Sequence, residues 1–192
     1  MIAEKLKTET KEAHQALEKL LIPRIKKTTT KQEYIQLLAL FYGYYHPLEQ
    51  KIEQYIDRRY LKDMQDRRKA GWLLSDMAYL GAAADGLPLS VHMPQITNAA
   101  RAMGALYVME GSALGGQIIK KMLQSGLAME GNDGFYFFNG YGQDTGRLWS
   151  GFLSAANSFA GQEGHGQEMI DAANETFLSF KKFIEEQMYK GS

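Results

Sequence analysis

Apolar residues recur at three- and four-residue spacing along most of the chain, which is divided by prolines at positions 23, 47, 88 and 94. That period belongs to helices with one buried face, so the chain reads as all-α. A first helix is predicted over residues 2–21, ending near Pro23. A second starts at Thr30-Lys31-Gln32-Glu33-Tyr34, where a hydroxyl residue three positions ahead of an acidic one is a capping-box pattern. It continues through Leu37, Leu38, Phe41, Tyr45, Leu48 and Ile52, and Pro47 is expected to kink it, because the apolar spacing resumes at Leu48, Ile52 and Tyr55. A shorter helix is predicted over 69–80, a loop over 81–88 and a long helix over 98–125. Residues 126–146, rich in Gly, Asn and Asp around Phe135-Tyr136-Phe137-Phe138, should form an irregular connection with a buried aromatic plug. Helices over 147–161 and 166–189 complete a single domain spanning 1–192, without internal repeats or a heptad run.

Composition narrows the function classes. A chain of 192 residues with 45% apolar and 23% charged residues can bury a core. Lys plus Arg and Asp plus Glu both number 22, so no net field favours nucleic acid or an acidic membrane. Cysteine is absent, which leaves His and carboxylates as metal ligands and removes thiolate nucleophiles. No apolar run is long enough for a signal peptide or membrane span, and a cytoplasmic location is expected.

Two segments carry candidate chemistry. On an ideal helix Lys7, Lys11, His14 and Glu18 fall within a stripe about 60° wide. Leu6, Ala13, Leu17, Leu20 and Leu21 fill the neighbouring sector, which places His14 at the edge of the core-facing surface. An imidazole there can bind a metal through one nitrogen while Glu18, one turn away, orients the other. The bland alternative is a solvated ion-pair face. In the second segment Gly104, Val108, Gly111 and Gly115 share one stripe of a helix, with Gly116 adjacent. Each interior glycine costs on the order of 1 kcal/mol against alanine, and the stripe lets another object approach the backbone. That object is either a helix or a flat ligand. A planar tetrapyrrole needs an axial ligand, a surface poor in side chains and cations for its propionates, and together the two segments offer all three. His46, His92 and His165 lie at a proline kink, in a pre-proline loop and in a Gly-rich turn, and none has the Glu-x-x-His spacing of a di-iron bundle.

Leu6-Lys7-Thr8-Glu9-Thr10-Lys11-Glu12-Ala13-His14 with Glu18 resembles the proximal helix of heme oxygenases, and Gly111-Ser112-Ala113-Leu114-Gly115-Gly116-Gln117-Ile118 resembles their distal helix. Residues 34–45 with 48–53 are similar to the family's second helix, and 173–178 through 183–186 to its last. The resemblance implies a bacterial, biliverdin-producing enzyme: a helical bundle holding heme between an N-terminal proximal helix and a kinked, Gly-rich distal helix. Such an enzyme opens heme to biliverdin, carbon monoxide and ferrous iron with dioxygen and electrons from a ferredoxin, flavodoxin or reductase. By the same resemblance His14 is the iron ligand, Glu18 its orienting partner, and Lys7 and Lys11 lie near the propionates. Gly111, Gly115 and Gly116 close over the distal face, and Tyr107, Arg147 and Phe177 lie at the heme edge. Many members carry an aspartate where this chain has Ser112, so Ser112 implies a modified proton relay through a water held by its hydroxyl. The run Arg67-Arg68-Lys69 is a solvated cationic face with docking of an acidic electron donor as its candidate use. The alternatives are a heme-handling protein without turnover on the same fold, and a helical interaction module that binds no heme.

Overall fold

The computed structural model describes residues 1–67, 69–161 and 165–190. Its elements are α1 (Ile2–Glu9), α2 (Lys11–Lys27), α3 (Lys31–Glu53), α4 (Gly71–Tyr79), α5 (Ala99–Leu127), α6 (Tyr136–Asn139), α7 (Thr145–Ala160) and α8 (His165–Lys190), with 3₁₀ turns at Met64–Asp66 and Gly142–Asp144. Among the described residues there is no strand, and no helix is long and apolar enough to cross a membrane.

The predicted first helix is two. The break falls at Thr10, which is 2% exposed, and whose hydroxyl donates to the Leu6 carbonyl at 2.7 Å. A threonine bonding back to the i−4 carbonyl bends a helix without unwinding it. The main-chain ladder accordingly continues through the break, from Thr10 to Leu6 and from His14 to Thr10. Pro23, expected as a terminus, lies inside α2. Leu21 before it and Ile25 after it are both buried, and that shared apolar face outweighs the single backbone bond a proline removes.

Thr30 caps α3 as its pattern predicted: its hydroxyl accepts from the Glu33 amide at 3.2 Å, and Glu33 accepts from the Thr30 amide at 2.9 Å. α3 passes through Pro47 and ends at Glu53. α5 begins at Asn98, whose side chain accepts from the Arg101 amide, and runs through all its glycines to a left-handed Ala128.

α8 packs along α5 and also touches α1, α2, α3 and α7. Between α3 and α8 lies an aromatic cluster in which Phe180 stacks on Tyr44 at 4.4 Å and meets Phe41 and Tyr45 edge-on. Phe135, Phe137 and Phe138 form the predicted plug, fully buried, while Tyr136 is exposed. Asp76 on α4 fixes the plug by accepting from the Tyr136 and Phe137 amides at 2.7 and 2.9 Å, and the Tyr34 hydroxyl donates to the Gly134 carbonyl.

Candidate functional site

The Tyr107 hydroxyl lies against Thr10, and burial raises its pKa above the ordinary phenol value. This contact joins α5 to the bend between α1 and α2. On α5 the positions one and two turns beyond Tyr107 are Gly111 and Gly115; on α2 those beyond Thr10 are His14 and Glu18. The contact therefore brings the glycine stripe near the histidine stripe, where α2 packs on α5.

His14 is half exposed, with Nε2 at 3.4 Å from the Glu18 carboxylate. Its other flank rests on Phe177 of α8, ring centroids 5.1 Å apart, and Phe177 is itself buried. Lys7 and Lys11 are exposed, on the same stripe. Among the described residues no three His, Asp or Glu side chains gather as a protein-only metal centre would require.

The glycines divide by what lies beyond their missing Cβ. At Gly104 a Cβ would stand 2.1 Å from the Met169 carbonyl oxygen, so this glycine admits the close approach of α8. Gly116 meets the Phe138 carbonyl oxygen at 2.4 Å. Its predicted place on the distal ligand face is thus corrected: the backbone of the aromatic plug occupies that side. Gly115 meets nothing within 4 Å, and Gly111 meets only the Trp149 ring at 3.4 Å. Backbone packing explains the first pair; Gly115 faces open space, and Gly111 faces only the Trp149 ring.

The heme oxygenase family model matches residues 1–186. The chain belongs to the heme oxygenase family. Its fold is similar to that of the heme oxygenase from Leptospira interrogans, at TM-score 0.75 and 22% identity over 96% of this chain and 98% of that one. It is also similar to heme oxygenase-1 from the cyanobacterium Synechocystis sp. PCC6803 solved in complex with heme, at TM-score 0.72 and 19% identity over 98% and 93% of the two chains. No curated protein matches by sequence.

Within this heme oxygenase fold, Ser112 turns inward. Its hydroxyl donates to the Met109 carbonyl at 2.7 Å and accepts from the buried Tyr45 hydroxyl at 3.0 Å. Glu110 is 4% exposed and pairs with Arg67, while the Tyr141 hydroxyl reaches both its oxygens at 3.0 Å. Arg67 is also bound by Asp63. Burial alone would lower the Arg67 pKa; the two carboxylates outweigh that and hold it above the ordinary value.

The reading of Arg67-Arg68-Lys69 as a solvated cationic patch is therefore corrected. Arg67 is interior, Lys69 is tied to Glu49 and Glu53, and Arg68 lies outside the described residues. Arg147 is exposed and paired with Asp144 at 3.0 Å.

Tyr45 enters the sequence pattern only as an apolar position of α3, Arg67 only as part of a solvated face, and Trp149 not at all. Trp149, one of two tryptophans, stands three positions before Phe152 on α7, a helical spacing that by itself points to core. Arg67 and Glu110 are 43 positions apart, so no local pattern joins them.

Proposed function

We propose that this protein binds heme between the Lys7-Lys11-His14-Glu18 stripe and the bare Gly111-Gly115 face of α5, and converts it to biliverdin, carbon monoxide and ferrous iron. The observation that carries the reading is the division of the glycines: Gly115 has no protein atom within 4 Å of its Cβ position and Gly111 only the Trp149 ring at 3.4 Å, whereas Gly104 and Gly116 meet backbone. An imidazole with one carboxylate beside it, in no cluster of three or more ligands among the described residues, fits a group whose ring nitrogens already satisfy its iron.

Bound heme supplies both the iron that reacts with dioxygen and the ring that is opened, with electrons from an external ferredoxin, flavodoxin or reductase. The chain's residues bind and orient it. The Glu18 carboxylate, 3.4 Å from Nε2 of His14, is placed to orient the imidazole, which would leave Nδ1 for the iron. Phe177 holds the same ring from the side, and Lys7 and Lys11 provide cations for propionates. Gly111 and Gly115 let the α5 backbone come within van der Waals distance of a planar ring. Tyr45 and Ser112 form a hydroxyl pair where many members place an aspartate, and an ordered water accepted by Ser112 carries the proton that the oxygen chemistry consumes.

A second reading, heme binding without turnover, is favoured by the commitment of the Ser112 hydroxyl to the Met109 carbonyl. Hemin titration of the wild type and of His14→Ala tests the site. The wild type should give a histidine-ligated spectrum that the variant loses, and an unchanged spectrum in the variant would defeat the assignment. Adding reductant in air then separates the readings: a Soret band bleaching into biliverdin absorption supports the enzyme, and a persistent Soret band leaves the binder.

A further inference from the structure

Arg67 and Glu110 form an ion pair at 2.5 Å with side chains only 2% and 4% exposed, and Glu110 directly precedes Gly111 in α5. The Arg67 guanidinium reaches three segments. It pairs with Glu110 on α5 and with both oxygens of Asp63 in the turn before α4, and it donates to the Leu148 carbonyl of α7 at 3.2 Å. It also stands 5.9 Å above the Phe152 ring. Phe152 in turn stacks on Trp149 at 5.6 Å, and Trp149 is the neighbour 3.4 Å from the Cβ position of Gly111. Gly111 is thus gripped twice, through the adjoining residue Glu110 and through Phe152 and Trp149.

A buried pair of this kind is often no more stabilising than apolar side chains of the same volume, so stability does not account for it. What charge adds is direction: a planar guanidinium with five donors fixes the relative placement of its acceptors, as an apolar contact does not. Direction is what this stretch of α5 lacks, because its two bare glycines give neighbouring elements no side chains to hold.

We propose that Arg67 is a positioning residue which, with Glu110, sets the height of the Gly111 backbone and of Trp149 against a ligand lying on α5. The inference rests on the heme reading above. Arg67 touches no ligand itself; it acts through Glu110, Leu148 and Phe152.

Three variants test it: Arg67→Lys, which keeps the charge but loses the fork; Glu110→Gln; and the apolar pair Arg67→Met with Glu110→Leu. Urea unfolding, hydrogen exchange of amides 108–116 without ligand, hemin affinity and the distribution of biliverdin isomers are the readouts. The apolar pair should unfold at nearly the wild-type urea concentration, yet exchange its 108–116 amides at least tenfold faster with α8 unchanged, bind hemin at least tenfold more weakly and release mixed isomers. Wild-type exchange, affinity and product in a stably folded apolar pair would overturn the proposal. Should that pair fail to fold, Arg67→Lys decides the matter by the same exchange and affinity criteria. Failure of the wild type itself to bind hemin would count against the heme reading, and the exchange comparison would still decide whether Arg67 holds Gly111 in place.

Discussion

At Gly115 a methyl group would enter open space, whereas at Gly104 it would lie 2.1 Å from the Met169 carbonyl oxygen. The two substitutions by alanine should therefore diverge. Gly115→Ala gains helix propensity and should stabilise the ligand-free protein by about 1 kcal/mol in urea unfolding, while weakening hemin binding, because the methyl occupies the face a flat ring would use. Gly104→Ala must push two backbones apart and should cost about 3 kcal/mol, the upper end of the overpacking range. Equal losses in the two variants would contradict the division of the stripe into packing and site glycines. The sequence shows Gly104, Gly111 and Gly115 as one stripe, and nothing local separates them. The partner that fills Gly104 is Met169, 65 positions away on α8, so the distinction exists only once α8 is in place. The stripe of His14 with Lys7, Lys11 and Glu18 is local by contrast, contained within about three turns of chain.

Elements were readable where their signals are local. The capping box at Thr30 and the resumed apolar spacing after Pro47 are decided within a few residues, and α3 follows them. Pro23 misled because the packing of Leu21 and Ile25 is a tertiary contribution that no terminator rule contains. The aromatic plug was visible as composition, but its anchor was not: Asp76 lies 60 positions before Tyr136. Asp76 is wholly buried, and burial raises its pKa from 3.8 to about 6, against the two amide hydrogen bonds that lower it. A carboxyl raised in this way binds its proton more tightly folded than unfolded. Its contribution to stability is fully present below the unfolded value and is lost as the pH rises through the folded one. The separation of the two values corresponds to roughly 3 kcal/mol. Between pH 7 and pH 4 the unfolding free energy of the wild type should thus rise relative to Asp76→Asn by that order. A difference that stays constant across this range would show that Asp76 does not titrate near 6.

Across the whole molecule, the two candidate walls belong to helices far apart in sequence, α2 and α5, which both pack on α8 and meet at Thr10 and Tyr107. A ligand held by both walls binds only the folded arrangement, so it should stabilise the entire bundle by mass action. At a free hemin concentration one hundred times the dissociation constant this amounts to about 2.7 kcal/mol. For a chain of this size each kcal/mol moves the thermal midpoint by about 2–4 °C, which gives a rise of about 5–10 °C. Two variants separate binding from folding. His14→Ala removes a half-exposed side chain and should leave the ligand-free midpoint nearly unchanged while losing most of the hemin-induced rise. Leu38→Ala empties a fully buried position on α3 and should lower stability by about 2–5 kcal/mol, with the hemin-induced rise retained. Differential scanning calorimetry with and without hemin reads both quantities. If Leu38→Ala lost the rise and His14→Ala kept it, the ligand would have to lie against α3, and the pairing of the histidine and glycine stripes would fall.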